Sequence, residues 1–139
     1  MLFRSLTHLF PTPHAVLGAD LACLGVPGAR AEAVRTLARA VYEGVVVLDG
    51  SRAPEVTREA LCALPGIGPW TADYIAMRAL GEPDAFPAGD LVLRRVASPT
   101  STPLTTRELE ARAEAWRPWR AYAVLHLWRL ATPPGDSVT

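Results

Sequence analysis

The chain has 139 residues, half of them apolar, which suits one domain with a real core. Its 14 basic side chains are all arginine and balance 14 acids, so recognition of a polyanion by net charge alone is excluded. No apolar run reaches the length of a membrane span and the start lacks a signal-peptide core, so no membrane partner and a cytoplasmic location are expected.

Proline and glycine punctuate a chain that otherwise reads as helix throughout. A short helix is expected over residues 2–10. Thr12 and Pro13 form an N-cap and first-turn pair for a helix to residue 17. Another short helix, 19–24, stops at Gly25. Residues 30–43 are amphipathic, with Val34, Leu37, Ala38 and Val41 on one face and Gly44 as terminator. Residues 45–48 include three β-branched valines but stand alone, and predict a loop or buried extended piece rather than a strand. Helices follow over 54–63 and 70–80, the second turning Ala72, Ile75, Ala76 and Ala79 inward and ending at Gly81. Asp90 caps a helix over 91–97, and a polar loop spans 98–103. Thr105 and Glu108 make a capping box for a helix through 115. Pro118 starts the last helix, which ends before Pro133. Residues 1–131 thus read as one helical domain and 132–139 as a disordered tail.

Chemistry concentrates between residues 62 and 90. Leu64, Pro65, Gly66, Ile67 and Gly68 make a tight turn between two helices. Glycine at 66 and 68 gives the backbone access to positive φ, which costs other residues about 1–2 kcal/mol. Amides at such a turn, backed by the N-terminus of the next helix, suit a phosphate. Trp70 and Tyr74 are four residues apart and share a helix face. They read either as core aromatics or as stacking walls for a base, and Trp128 is open to the same two readings. Asp90 is either a plain helix cap or a carboxylate placed to work. Arg94 and Arg95 follow within a turn and suit either phosphates or acids such as Glu108 and Glu110. His8, His14 and His126 lack the spacing of a metal site, and His126 reads as a hydrogen-bonded structural residue. Trp116 and Trp119 read as structural. Cys23 and Cys62 read as buried thiols rather than a disulfide.

Residues 64–74 resemble the helix-hairpin-helix signature of DNA repair glycosylases, and Asp90 after its Gly/Pro-rich loop resembles the Gly/Pro–Asp variety. The nearest likeness is to alkylbase glycosylases of the 3-methyladenine-DNA glycosylase II type. Residues 6–44, with Phe10-Pro11-Thr12-Pro13, and residues 116–128, from Trp116-Arg117-Pro118-Trp119 to His126-Leu127-Trp128, resemble that family's flanking segments. The resemblance implies an all-α helix-hairpin-helix glycosylase fold, a multi-helix bundle lacking its first helices. It gives Asp90 the catalytic role, makes Trp70, Tyr74 and Trp128 the base pocket, and makes residues 64–68 the phosphate-binding hairpin. It also implies a monovalent cation, Na+ or K+, on the main-chain carbonyls of Cys62, Leu64 and Ile67. Two cysteines are too few for the iron–sulfur cluster of some relatives, so no cofactor is required. The lyase nucleophile of such enzymes is a lysine where Trp70 stands, and the chain has none. The expected activity is monofunctional release of 3-methyladenine-like bases from duplex DNA by a monomer. An inactive truncated fragment or a non-catalytic helix-hairpin-helix DNA grip are the alternatives. Arg129 departs from the family, which often has an aromatic residue after the closing tryptophan.

Overall fold

Proline opens three of the helices, and left-handed glycine lies in four of the six segments between them. The computed structural model describes residues 9–131. They form α1 (Pro13–Gly18), α2 (Gly28–Tyr42), α3 (Pro54–Cys62), α4 (Pro69–Ala79), α5 (Leu91–Val96), α6 (Thr106–Ala113) and α7 (Arg120–Ala131), with 3-10 turns at Leu21–Leu24 and Glu114–Trp116. There is no strand among the described residues, so the all-α class holds. No helix among them is long and apolar enough to cross a membrane. The helix expected over 2–10 lies largely outside the described residues; Leu9 and Phe10 are non-helical and exposed. The tail expected over 132–139 also lies outside them.

The helix boundaries follow from local chemistry. The Thr12 hydroxyl accepts from the Ala15 amide at 3.2 Å and caps α1. Thr105 and Glu108 form the reciprocal capping box that opens α6. Gly25, Gly44 and Gly81 all take positive φ where helical segments stop. The helix expected to begin at Pro118 starts two residues later, at Arg120.

Two apolar clusters make the core. One joins Ala40, Val46, Leu61, Ile67 and Ala72, with Leu37, Val41 and Ile75 packed against it. The other joins Met77, Phe86, Leu93, Leu109 and Val124, with Trp116 and Trp128 at its margin. Helix α4 feeds both: Ala72 and Ile75 serve the first, and Met77 the second. Residues 45–48 form a loop, not a strand, in which Val46 is fully buried while Val45 is 55% exposed.

Some inward faces differ from the sequence reading. Val34 on α2 is 44% exposed, because the buried stripe runs through Ala31, Ala38 and Ala40. Small side chains let α2 approach the hairpin closely, and a hydropathy count favours the larger Val34. Ala79 is exposed, while Asp73 of α4 is buried. The cysteines are free, but Cys23 is exposed and Cys62 half-buried, not the buried thiols expected.

Candidate functional site

The hairpin between α3 and α4 is built on a tight turn in which the Ile67 amide donates to the Leu64 carbonyl at 3.1 Å. Gly66 has φ +84°, and a Cβ there would stand 2.8 Å from the Cβ of Ala33 on α2. Gly68 differs from expectation. It is extended, with φ −91° and ψ 173°, and its Cβ direction is empty. Ile67 is buried and anchors the turn, which leaves Gly68 free to adopt ordinary backbone. Gly68 caps α4 without a side chain. The amides of Gly66, Gly68, Trp70 and Thr71 donate no hydrogen bond among the described residues. Four such donors at the start of an eleven-residue helix form a natural receptor for an anion.

Beyond the hairpin, α4 presents Trp70 and Tyr74 on its exposed side, 43% and 37% accessible. Their rings stack at 5.3 Å and 18°. Tyr74 in turn meets Trp128 of α7 at 6.0 Å and 43°. The three aromatics singled out from sequence therefore form one continuous shelf.

Asp90 stands at the edge of that shelf. It is 9% exposed and caps α5, its Oδ1 accepting from the Leu93 amide at 2.9 Å. Capping accounts for one oxygen only. The other, Oδ2, accepts from the indole Nε1–H of Trp70 at 2.9 Å. Turn residues before Asp90 hold it in place: its own amide donates to the Pro87 carbonyl at 2.9 Å, and Phe86, Pro87 and Ala88 are buried. A carboxylate, an electron-rich aromatic shelf and a row of open amides thus lie along one helix.

No protein-family model matches the chain. It is 44% identical over 130 residues to the probable bifunctional transcriptional activator/DNA repair enzyme AlkA of Mycobacterium tuberculosis, covering 94% of this chain and 26% of that protein. It is 40% identical over 122 residues to DNA-3-methyladenine glycosylase 2 of Escherichia coli, covering 86% and 42%. In structure it resembles the 3-methyladenine DNA glycosylase of Schizosaccharomyces pombe solved with abasic DNA, with a TM-score of 0.79, 25% identity, and coverage of 86% of this chain and 63% of that one. The chain is a homologue of part of the 3-methyladenine DNA glycosylases. It spans less than half the length of the two curated relatives named.

Arg94 engages neither of the acids considered for it; its guanidinium donates to the Leu104 carbonyl, closing the 98–103 loop. Arg95 is exposed. His126 is exposed and its imidazole makes no hydrogen bond among the described residues, so it is not the bonded structural residue expected. Trp116 packs edge-on against Phe86 at 6.0 Å and is structural, but Trp119 is 58% exposed. Arg129 lies exposed in the last turn of α7.

Sequence reasoning missed an ion cluster that positions the Asp90 loop. Asp84, six residues before Asp90, accepts from Arg120 Nε at 2.7 Å and Nη2 at 2.9 Å, and also pairs with Arg117. Burial disfavours its charge, but the hydrogen bond and field of Arg120, aided by Arg117, hold its carboxyl below the ordinary value of 3.8. The Arg58–Asp73 pair similarly ties α3 to α4, and the Asp73 hydrogen bond holds the guanidinium of Arg58 above its ordinary value. Both pairs join residues far apart in sequence, so no local spacing signals them. Trp70 also borders a cleft of about 820 Å³ lined by six carboxylates, Glu55 and Glu110 among them, and three arginines. Tyr74, Asp90 and Trp128 do not line it. Its acidic excess repels phosphate.

Proposed function

We propose that the chain carries the catalytic part of a base-excision DNA glycosylase that hydrolyses the N-glycosidic bond of alkylated, 3-methyladenine-like bases in duplex DNA. The observation that carries this reading is the hydrogen bond from Trp70 to Asp90, which joins the aromatic shelf to the carboxylate. An enzyme acting on a base takes it out of the duplex and stacks it on aromatic faces. A cationic alkylated purine gains about 0.5–2 kcal/mol from an electron-rich indole face. Breaking the glycosidic bond builds positive charge on the sugar. A fixed carboxylate stabilises that charge as it develops and orients the attacking water. In this reading Asp90 is catalytic, Trp70, Tyr74 and Trp128 hold the base, and the amides around Gly66 and Gly68 grip a backbone phosphate. A cationic base is already a good leaving group, which fits a site with no evident general acid.

The sequence contains no lysine, so no lysine amine is present to attack the sugar, and the product is an abasic site. The carbonyls of Cys62 and Ile67 accept no hydrogen bond among the described residues, and that of Leu64 accepts one, from Ile67. These oxygens suit the hard Na+ or K+ ion of the resembling family, which would supply positive charge beside the gripped phosphate. A monomer acting on chromosomal duplex implies a cytoplasmic, nucleoid-associated protein.

The test is base release from methylated duplex by the 139-residue chain and by Asp90→Asn. Release by the parent and at least a hundredfold loss in the variant, with abasic-site DNA bound within a few-fold, is the expected result. Equal rates in both, or no release by the parent, would remove the enzymatic reading.

A further inference from the structure

We infer that Trp70 is a positioning residue for Asp90 as well as a wall of the base pocket: its indole N–H fixes the direction of the carboxylate oxygen left over from helix capping. The inference deepens the proposed glycosylase activity and rests on it.

A carboxylate offers about four acceptor sites on two oxygens. The Leu93 amide takes one on Oδ1. That bond alone restrains a single oxygen, and the carboxyl plane still has its broad terminal torsion about the pinned atom. The Trp70 Nε1–H takes a site on Oδ2 at 2.9 Å and supplies the second point that defines the plane. Oδ2 then keeps one lone pair aimed away from the indole, available to a sugar carbon or to water. The donor is itself held. Its ring stacks on Tyr74, and Tyr74 leans on Trp128 across the α4–α7 junction. Tyrosine, phenylalanine or leucine at position 70 would preserve apolar bulk, but none carries a donor at the place the indole nitrogen occupies. A residue required only for stacking needs a flat ring and no N–H.

The arrangement also links two events. A base entering the shelf presses on the same rings that orient the carboxylate. Filling the pocket therefore tightens the geometry of the group that acts on the sugar, and an empty or poorly filled pocket leaves it looser.

The experiment compares the parent chain with Trp70→Phe and Trp70→Ala on methylated duplex under single-turnover conditions, with affinity for abasic-site duplex measured beside it. Trp70→Phe keeps a ring and removes the donor. It is expected to lower the rate of base release about tenfold, the value of one hydrogen bond to a charged group, while half-saturation and abasic-site affinity stay within threefold. Trp70→Ala is expected to raise the half-saturation concentration as well. A second readout needs no turnover. In a nitrogen–proton correlation spectrum of the parent, the Trp70 indole resonance, assigned by its loss in Trp70→Phe, is expected to shift and to exchange faster with water on Asp90→Ala. Release by Trp70→Phe within twofold of the parent, or an indole resonance indifferent to Asp90→Ala, overturns the inference while the glycosylase reading stands. A parent that releases no base removes the glycosylase reading and this inference with it, even where the indole resonance responds.

Discussion

Gly66 and Gly68 stand two residues apart and carry different constraints. Gly66 needs its left-handed φ and has no room for a Cβ beside Ala33. Gly66→Ala is expected to destabilise the chain by about 2–4 kcal/mol, from backbone strain plus overpacking, as read by denaturant unfolding. Gly68 sits in extended backbone with open space at its Cβ direction. Gly68→Ala is expected to cost under about 1 kcal/mol of stability, the usual penalty for alanine at a helix cap. It should still weaken binding to any duplex, whatever its sequence, because a methyl group bonded beside the Gly68 amide narrows the approach of a phosphate to that amide. Stability unchanged by Gly66→Ala, or duplex affinity unchanged by Gly68→Ala, would separate the hairpin from these roles. Sequence alone marked both glycines and assigned both to positive φ. The distinction depends on the approach of α2, which no local pattern encodes.

At the scale of elements, the segment between α4 and α5 does more than connect. It carries Asp84, whose carboxylate locks onto Arg120 and Arg117 next to the start of α7, and the Pro83 carbonyl accepts from the Ala121 amide at 2.9 Å. The loop that ends in Asp90 is thereby fastened to the helix that carries Trp128. Because the folded-state value of Asp84 lies below its ordinary 3.8, its contribution is complete above that pH and is lost as pH falls through the folded value. Asp84→Asn is expected to cost about 1–2 kcal/mol at neutral pH. It should also flatten the fall in Tm between about pH 5 and pH 2, and an identical acid slope in parent and variant would refute the assignment. Helix ends were legible wherever one or two residues decide them, as at Thr12, Gly25, Asp90 and the Thr105–Glu108 box. The shelf was legible as three separate aromatics, two of them joined by helical spacing. The indole–carboxylate bond and the Asp84 cluster were not, because their partners lie 20 to 36 residues apart in sequence and meet only in the packed fold. The buried stripe of α2 was misread for a related reason: close helix contact selects alanine, and a hydropathy pattern selects valine.

For the whole molecule, net charge is zero, and the negative excess gathers in the cleft bordered by Trp70. In the proposed function, recognition of a duplex then rests largely on backbone amides and stacking rather than on a basic surface. Each phosphate neutralised by an arginine contributes close to one unit to the salt dependence of binding. A slope of log affinity against log salt of about −1 to −3 is therefore expected for this chain on undamaged duplex, measured by fluorescence anisotropy. A slope steeper than about −5 would mean that arginines, not the hairpin, carry the binding.

Helix α4 runs between the two apolar clusters and touches both, so neither end of it moves independently of the other. At 1.5 Å per residue, the hairpin glycine at its head and the tyrosine on its flank are about 9 Å apart along the axis. The helix is a ruler. In the proposed function, a strand clamped at one mark would leave the distance a nucleotide must swing to the other already set, so that lesions of different sizes would be gauged against the same fixed length.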